Sequence, residues 1–272
     1  MTVDTHAFGK GFAKSLVSTV LDAALSLPQP TPIFAIAGLQ GSGKSTLAAQ
    51  VAGLAEERGY RVAVLSIDDF YLRKDQRLQL AREVHPLLAT RGPPGTHDLG
   101  LALETIGGLR DGRATRLPRF DKLADDREPA ERWPATERRC DFVLLEGWFL
   151  KTPPQNRDDL LQPINTLERD EDSDGSWRSW CNATLADHYP QLWETIDALW
   201  FLQGPDFDVV PGWRWQQEQS LQASDPQRVA MSRAQVERFV QLFERVSRQA
   251  LRTLPVIAER TIRLDAERNL RL

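Results

Sequence analysis

The feature that most constrains this 272-residue chain is a glycine-rich octapeptide, GLQGSGKS, at residues 38–45. It fits the pattern G-x-x-x-x-G-K-[ST] at every fixed position, and this pattern is typical of a loop that binds phosphate through its backbone amides. A short apolar run (33–37) precedes the loop, and apolar residues at helical spacing (46–52) follow it. Strand, loop and helix in this order are the context that a true phosphate loop requires, so we predict a nucleotide-binding α/β fold.

The positions of this loop have separate predicted roles. Gly41 and Gly43 supply the positive φ angles that let the backbone curl around an anion. Lys44 reaches the outer phosphates of ATP, and the Ser45 hydroxyl can sit on Mg²⁺. The start of the following helix adds its positive end. The residues predicted to bind the nucleotide are Gly38, Gly41, Ser42, Gly43, Lys44, Ser45 and Thr46.

Apolar runs alternate with helical patterns along the whole chain. Runs of strand type occupy 33–37, 61–67, 140–145, 198–202 and 261–264, and helical periodicity marks 8–27, 99–109 and 233–251, with a further helix at 177–189. This alternation predicts a three-layer αβα sandwich of the P-loop NTPase type, with a mostly parallel central sheet and helices on both faces. We expect one domain over 1–272, with a highly charged, exposed insertion at about 151–180.

Composition excludes several classes of protein. The formal net charge is −4, from 34 basic and 38 acidic side chains, so no strong field would draw the chain to nucleic acid or to an anionic membrane. The two cysteines have no metal-binding spacing, and no apolar stretch reaches membrane-spanning length. We therefore expect a cytoplasmic protein with reduced thiols and no nucleic-acid or membrane partner.

Carboxylates follow two of the predicted strands, at the edge of the sheet where ligands bind in such folds. Asp68 and Asp69 follow the second strand, and Glu146 ends the third. Phosphoryl transfer to a hydroxyl needs a metal and a group that positions or deprotonates the acceptor. We predict Asp68 as the base, with Asp69 and Lys44 also catalytic, and Ser45 with Glu146 as metal ligands. The alternative for Asp68 and Asp69 is a helix cap with a first-turn acid.

Several charged loop residues are candidates for contacts with the acceptor. Arg91 and His97 lie in one Gly/Pro-rich loop, and the mixed-charge stretch that follows contains Lys122; the predicted acceptor ligands are Arg91, His97, Arg119 and Asp121. Arg127 and Arg214 are predicted to form a lid over the transferred group. The alternatives are a histidine satisfied by backbone, an ordinary solvated loop, and an arginine packed on the neighbouring indoles.

These motifs together resemble the D-glycerate 3-kinases of plants, fungi and bacteria, within the group of phosphoribulokinase, uridine kinase and pantothenate kinase. The matching segments are GLQGSGKST, LSIDDFYL, RGPPGTHDL, LPRFDK with a later DR, LLEGWFL, GWRWQQE and MSRAQVERFV. The resemblance implies ATP and Mg²⁺ as cofactors, Asp68 as base and Glu146 as the Walker-B carboxylate. It implies a small hydroxyl acceptor, D-glycerate, converted to 3-phosphoglycerate. Phe120 stands where we expect Tyr, so a hydroxyl contact is missing there.

Two alternatives remain open from the sequence. The same chemistry serves other acceptors, such as a nucleoside, pantothenate or a sugar phosphate. A nucleotide-dependent switch ATPase would use the phosphate loop without a small acceptor. The carboxylate pair after the second strand favours a hydroxyl acceptor, and the near-neutral charge argues against a nucleic-acid motor.

Overall fold

The computed structural model describes residues 11–224 and 230–271. Its strands in chain order are β1 (Ile33–Gly38), β2 (Val62–Ser66), β3 (Thr115–Arg116), β4 (Phe120–Asp121), β5 (Asp126–Arg127), β6 (Ala135–Thr136), β7 (Phe142–Gly147), β8 (Ala198–Gln203) and β9 (Arg260–Arg263). Strands β2-β7-β1-β8-β9 form a five-stranded sheet in this order, and every pairing within it is parallel. The strands predicted from apolar runs are therefore confirmed, and they form the parallel sheet.

Helices cover both faces of this sheet. In chain order they are α1 (Lys14–Leu25), α2 (Lys44–Glu57), α3 (Lys74–Glu83), α4 (Leu99–Arg110), α5 (Thr166–Glu171), α6 (Ser176–His188), α7 (Pro190–Glu194), α8 (Val210–Ser224) and α9 (Arg233–Ile257). Short 3-10 helices occupy Ile67–Phe70, Pro86–Ala89, Ala130–Arg132 and Arg157–Leu160. Residue 8, where the first predicted helix begins, lies outside the described residues.

The central strand β1 shows why the chain needs helices on both sides. Its residues are all buried, and successive side chains point to opposite faces. Phe34 and Ile36 belong to the apolar cluster that contains α1 and α2 residues. Ile33 and Ala35 belong to the cluster on the other face, which contains α4, α6 and α9 residues. A strand buried on both faces is typical of parallel sheets, and the predicted αβα sandwich is confirmed.

The charged segment at 151–180 is less exposed than its composition predicts. Glu168 is fully buried, and both of its carboxylate oxygens accept hydrogen bonds from Arg245 on α9, at 2.7 and 2.6 Å. Asp172 is also buried and pairs with Arg178 at 2.9 Å. Most of the segment is exposed or half-buried, and these two acids are buried because arginine partners, rather than water, neutralise them.

Two further segments were not recognised as helices from the sequence. Residues 74–83 form α3, although their apolar residues are sparse, and Val210–Ser224 form α8. The residue that α3 buries is Arg77, which has no exposed surface. No helix in the described ranges has both the length and the apolar character needed to cross a membrane.

Candidate active site

The phosphate loop connects the end of β1 to the start of α2. Gly41 has a φ angle of 76° and Gly43 one of 92°, a conformation that other residues adopt only with strain. A Cβ atom at Gly41 would lie 2.7 Å from Cβ of Trp213, so the space also requires glycine. The predicted loop is therefore present, and its amides lie at the N-terminus of α2, where the helix favours an anion.

Glu146 lies beside this loop because β7 is the neighbour of β1 in the sheet, with Ile36 paired to Glu146. The Ser45 hydroxyl donates to Oε1 of Glu146 at 2.9 Å, and Nζ of Lys44 lies 3.9 Å from Oε2. The carboxylate is buried, and Oε2 has no hydrogen-bond partner among the described residues. A hydroxyl and a buried carboxylate beside a phosphate site fit Mg²⁺, which prefers oxygen ligands and takes others from phosphate and water.

No three His, Cys, Asp or Glu side chains within 11–224 and 230–271 come together as a ready-made metal cluster.

Asp68 lies in the 3-10 helix that follows β2. The Tyr71 hydroxyl donates to its Oδ1 at 2.8 Å, and Nζ of Lys122 donates to its Oδ2 at 2.8 Å. Burial raises the pKa of the Asp68 carboxyl, but the charges of Lys122 and Lys44 and these hydrogen bonds together hold it well below its ordinary value. Ser66 is the residue that caps this helix, so Asp68 is not used as its cap.

One cavity of about 820 Å³ joins these groups. The phosphate loop from Gln40 to Thr46, with Glu146, lines one side, and Asp68, Tyr71, Arg91 and Lys122 also line it. The structure therefore brings together the predicted nucleotide loop, metal ligands, base and one predicted acceptor ligand. A nucleotide phosphate and a small acceptor would share this one space.

Arg91 is held by charge and by an aromatic ring. Its Nη1 pairs with Oδ1 of Asp125, and its guanidinium carbon lies 5.5 Å from the centre of the Phe120 ring. Oδ2 of Asp125 also forms an ion pair with Nη2 of the buried Arg77, at 3.0 Å, and the same nitrogen donates to the Asp125 carbonyl at 2.5 Å. Asp125 has a φ angle of 53°, an unusual conformation for a residue other than glycine. This carboxylate therefore joins Arg77, which has no access to water, to Arg91, which lines the cavity.

Asp69 and Arg119 do not line the cavity. Nη1 of Arg119 lies 3.4 Å from Oδ2 of Asp69, and the amide of Phe120 donates to Oδ1 at 3.2 Å. Burial raises the pKa of Asp69 to about 6, against the opposing effects of Arg119 and Lys122. The pair joins the β4 strand to the 3-10 helix that carries Asp68, so both residues position their neighbours.

His97, Asp121 and Arg127 are likewise absent from the described residues that line the cavity. His97 is buried, and its ring lies 4.7 Å from the Tyr71 ring, with Nδ1 2.7 Å from the Tyr189 hydroxyl. Burial lowers the pKa of His97 to about 3, so the ring is neutral. The His97 ring therefore packs against the Tyr71 ring and does not line the cavity.

Of the other two residues, Asp121 stabilises a turn and Arg127 links two separate segments. Oδ1 of Asp121 accepts from the amides of Leu123 and Ala124, at 2.8 and 3.0 Å. Nη2 of Arg127 donates to the carbonyl of Tyr71 and to Oδ2 of Asp98, at 2.9 and 3.0 Å. Arg214, the other predicted lid residue, does line the cavity, and its Nη1 lies 3.0 Å from Oε2 of Glu218.

Comparison with known proteins agrees with this geometry. No family model matches the chain. The chain is 32% identical over 209 residues to "Uncharacterized kinase mug58" of Schizosaccharomyces pombe, which covers 72% of this chain and 74% of that protein. It is 30% identical over 222 residues to the chloroplastic D-glycerate 3-kinase of Arabidopsis thaliana, covering 78% of this chain. The chain belongs to the D-glycerate 3-kinase family of P-loop kinases.

Solved structures share the fold of this family member. A D-glycerate 3-kinase from Cryptococcus neoformans superposes with a TM-score of 0.76 at 24% identity, covering 94% of this chain and 95% of that one. The YGR205w protein superposes with a TM-score of 0.70, also at 24% identity, covering 95% and 94%. The match to the Arabidopsis protein spans 46% of that protein's length. The family identifies the chain as an ATP-dependent kinase with a hydroxyl acceptor.

Three residues of this kinase site were missed among the predicted site residues. Tyr71 and Lys122 both bind Asp68, and each lies within a motif already quoted, LSIDDFYL and LPRFDK. Arg268 belongs to no motif. Its Nε donates to the Gly41 carbonyl at 2.6 Å, and its guanidinium lies 4.9 Å from the Trp213 ring centre. Only the return of the chain end to the phosphate loop in three dimensions reveals this contact.

Proposed function

We propose that this kinase transfers the γ-phosphoryl group of ATP to the primary hydroxyl of D-glycerate, giving 3-phosphoglycerate and ADP. The observation that carries the proposal is that one cavity contains the phosphate loop, Asp68 and, beside Asp68, the cations of Arg91 and Lys122. Glycerate is small and carries both a hydroxyl for Asp68 and a carboxylate for the cations. The family relationship to an enzyme named D-glycerate 3-kinase supports the same acceptor.

The nucleotide half of the site holds and neutralises phosphate. The loop amides and Nζ of Lys44 bind the β- and γ-phosphates. Ser45 and Glu146 would hold Mg²⁺, which when bound offsets phosphate charge. Arg214 faces the same cavity and is the remaining lid candidate for covering the transferred group. These groups favour the charge distribution of the transition state because they are already in place before the reaction.

The acceptor half positions one hydroxyl. Asp68 accepts a hydrogen bond from the acceptor hydroxyl, directs its oxygen at the γ-phosphorus, and takes its proton as the new P–O bond forms. Arg91 binds the acceptor carboxylate, for which a planar guanidinium provides two parallel donors. The fixed distance between Arg91 and Asp68 would then select which hydroxyl reacts.

The test is an ADP-release assay with a panel of acceptors at equal concentration. We expect D-glycerate to support turnover and uridine, pantothenate and ribulose 5-phosphate to give background rates. Mass spectrometry and phosphorus NMR of the product would identify 3-phosphoglycerate. An Arg91→Gln variant should raise the KM for glycerate while the KM for ATP changes little. Turnover with another panel member, or only with an added macromolecule, would refute glycerate as the acceptor.

A further inference from the structure

The carboxylate of Asp68 already has a hydrogen-bond donor on each oxygen. Tyr71 donates to Oδ1 and Lys122 to Oδ2, both at 2.8 Å. A cation bound to a carboxylate lowers its affinity for a proton, and Lys122 has this effect on Asp68. While Lys122 remains paired, Asp68 is a poor base for any water molecule that enters the cavity beside ATP.

The Lys122 backbone is held in place, whereas its side chain is flexible. Its neighbour Asp121 stabilises the turn by accepting from two amides, and Nη2 of Arg91 lies 3.5 Å from the Lys122 carbonyl. The Lys122 side chain is 58% exposed. The Asp68 side chain is 28% exposed, and the four-carbon stem of lysine is flexible. The ammonium can therefore exchange Asp68 for another carboxylate at the same site without being left unpaired.

Binding of an anionic acceptor would favour release of the Lys122 ammonium from Asp68. Arg91 lies next to Lys122 and lines the same cavity. A carboxylate bound to Arg91 offers the Lys122 ammonium a second negative partner within reach of the same side chain. When Lys122 moves to that carboxylate, Asp68 loses one of its two opposing charges, with Lys44 remaining, and one of its two hydrogen-bond donors. Its basicity then rises as the acceptor hydroxyl arrives.

We propose that Lys122 is a guard of Asp68: it keeps Asp68 a poor base until an anionic acceptor binds and draws the ammonium away. The guard makes phosphoryl transfer depend on an anionic acceptor, and it protects ATP from hydrolysis by water. The suggestion that the releasing anion is the glycerate carboxylate rests on the proposed function. In the reaction that the guard prevents, water forms a new P–O bond at the γ-phosphorus and the bond to the β,γ-bridging oxygen breaks. ADP leaves, and the proton of the water passes to Asp68 and then to solvent.

The test measures ATP hydrolysis in the absence of any acceptor, by ADP release from the full-length chain. We expect Lys122→Met to hydrolyse ATP about tenfold faster than wild type, because a released base recovers part of the usual general-base acceleration. The double variant Asp68→Asn/Lys122→Met should return to the wild-type background. Lys74→Met removes the same side chain from an exposed position outside the described cavity lining and should leave hydrolysis unchanged.

Lys122→Gln provides a second removal of the charge, and equal thermal unfolding midpoints show that the variants are folded. Hydrolysis by both Lys122 variants at or below the wild-type rate would overturn the guard. The outcomes also separate this proposal from the choice of acceptor. If glycerate is phosphorylated but the variants show no extra hydrolysis, the guard is wrong and the function stands. If glycerate is inert but hydrolysis rises and depends on Asp68, the guard stands and the releasing anion is another one.

Discussion

The two walls of the cavity are built in different ways. The phosphate-loop wall (residues 38–46) is one continuous segment whose shape follows from the glycines and from the start of α2. The hairpin wall (Asp68, Tyr71, Arg91 and the residues from Lys122 to Asp125 that line the cavity) is gathered from separate segments. It is held mainly by charged pairs, Arg91 and Arg77 with Asp125, and Lys122 with Asp68. One wall is specified locally, and the other depends on contacts between residues distant in sequence.

The two kinds of construction suit the two walls to different functions. A rigid backbone cradle suits a phosphate group that every ATP-dependent kinase binds in the same way. A wall of side-chain pairs can change its partners when an acceptor arrives, because exchange of ion-pair partners at a partly exposed site is inexpensive. Damage to the two walls should therefore appear in different kinetic constants.

The largest effects should come from one residue on each side of the γ-phosphate. Lys44→Ala and Asp68→Asn should each reduce kcat by about 10²–10⁴-fold, the range for loss of a group that acts in the transition state. Only Lys44→Ala should also weaken ATP binding substantially, because only Lys44 contacts the nucleotide phosphates. Isothermal titration calorimetry with ATP, together with single-turnover kinetics, measures the two effects separately.

Asp68→Asn keeps the size of the side chain and one of the two oxygens that accept from Tyr71 and Lys122, and it leaves the phosphate loop unchanged, so its ATP affinity should stay near that of wild type. Near-normal turnover by this variant would show that Asp68 is not the base. Loss of ATP affinity by both variants to the same extent would show that the two walls are not separable.

A smaller effect is expected from Asp125→Asn. The change removes the charge that links the buried Arg77 to Arg91, while asparagine tolerates the positive φ angle at this position. Arg91 would lose its anchor, so the KM for the acceptor should rise about tenfold, which corresponds to roughly 1.4 kcal/mol. The KM for ATP should change less than twofold. Steady-state kinetics with each substrate varied in turn measures both.

Asp126→Asn is the matched control for this change. Asp126 is the adjacent residue, and its Oδ1 accepts from the Lys74 amide at 3.0 Å, a bond that asparagine can also make. Both KM values should stay near wild type in this variant. Equal rises in the acceptor KM for the two variants would mean that the hairpin wall responds to any loss of charge, rather than to the loss of the Arg77–Asp125–Arg91 link.

The same contrast explains what the sequence predicts. Sheet strands, the loop and the roles of Lys44, Ser45 and Glu146 follow from short motifs, because parallel strands end at one edge of the sheet. Arg91 was predicted as an acceptor ligand from its Gly/Pro-rich loop, and it lines the cavity. The pairing of Lys122 with Asp68 could not be derived in this way, since Lys122 is 54 residues from Asp68 in sequence. Hydrophobic periodicity indicates which apolar side chains are buried, but it does not indicate which charged side chains form pairs.

Helix α3 and the burial of Glu168 were not predicted because both depend on pairing of charged or polar groups. Helix α3 packs through Arg77, which donates to the carbonyls of Leu72 and Ala89 at 3.2 and 2.8 Å, so a search for apolar spacing does not detect it. From the sequence alone Glu168 is expected to be a solvated acid, whereas the fold pairs it with Arg245, 77 residues away. A charged side chain is buried only where its partner is supplied by the fold, and the partner is not adjacent in sequence.

The smallest expected effect concerns His97, which supports the hairpin wall from behind Tyr71. Its pKa is lowered by burial from an ordinary 6.5 to about 3. Between these two values the unfolded chain binds a proton that the folded chain does not, so this residue's contribution to stability is present above pH 6.5 and is lost as pH falls below it. The slope from this one group is at most about 1.4 kcal/mol per pH unit.

Chemical denaturation of wild type and His97→Phe between pH 6.5 and 5 measures that slope as a difference. The difference is needed because Asp69, whose raised pKa lies near 6, gains a proton in the folded state over the same range and stabilises it as pH falls. The variant keeps this opposing effect and loses only that of His97, so its unfolding free energy should fall less steeply on acidification. Parallel pH profiles for the two proteins would mean that folding does not lower the pKa of His97, so the ring takes up a proton on acidification in the folded state as it does in the unfolded chain. His97 would then be a charged group beside Tyr71, and the hairpin wall would carry one more cation than the structure gives it.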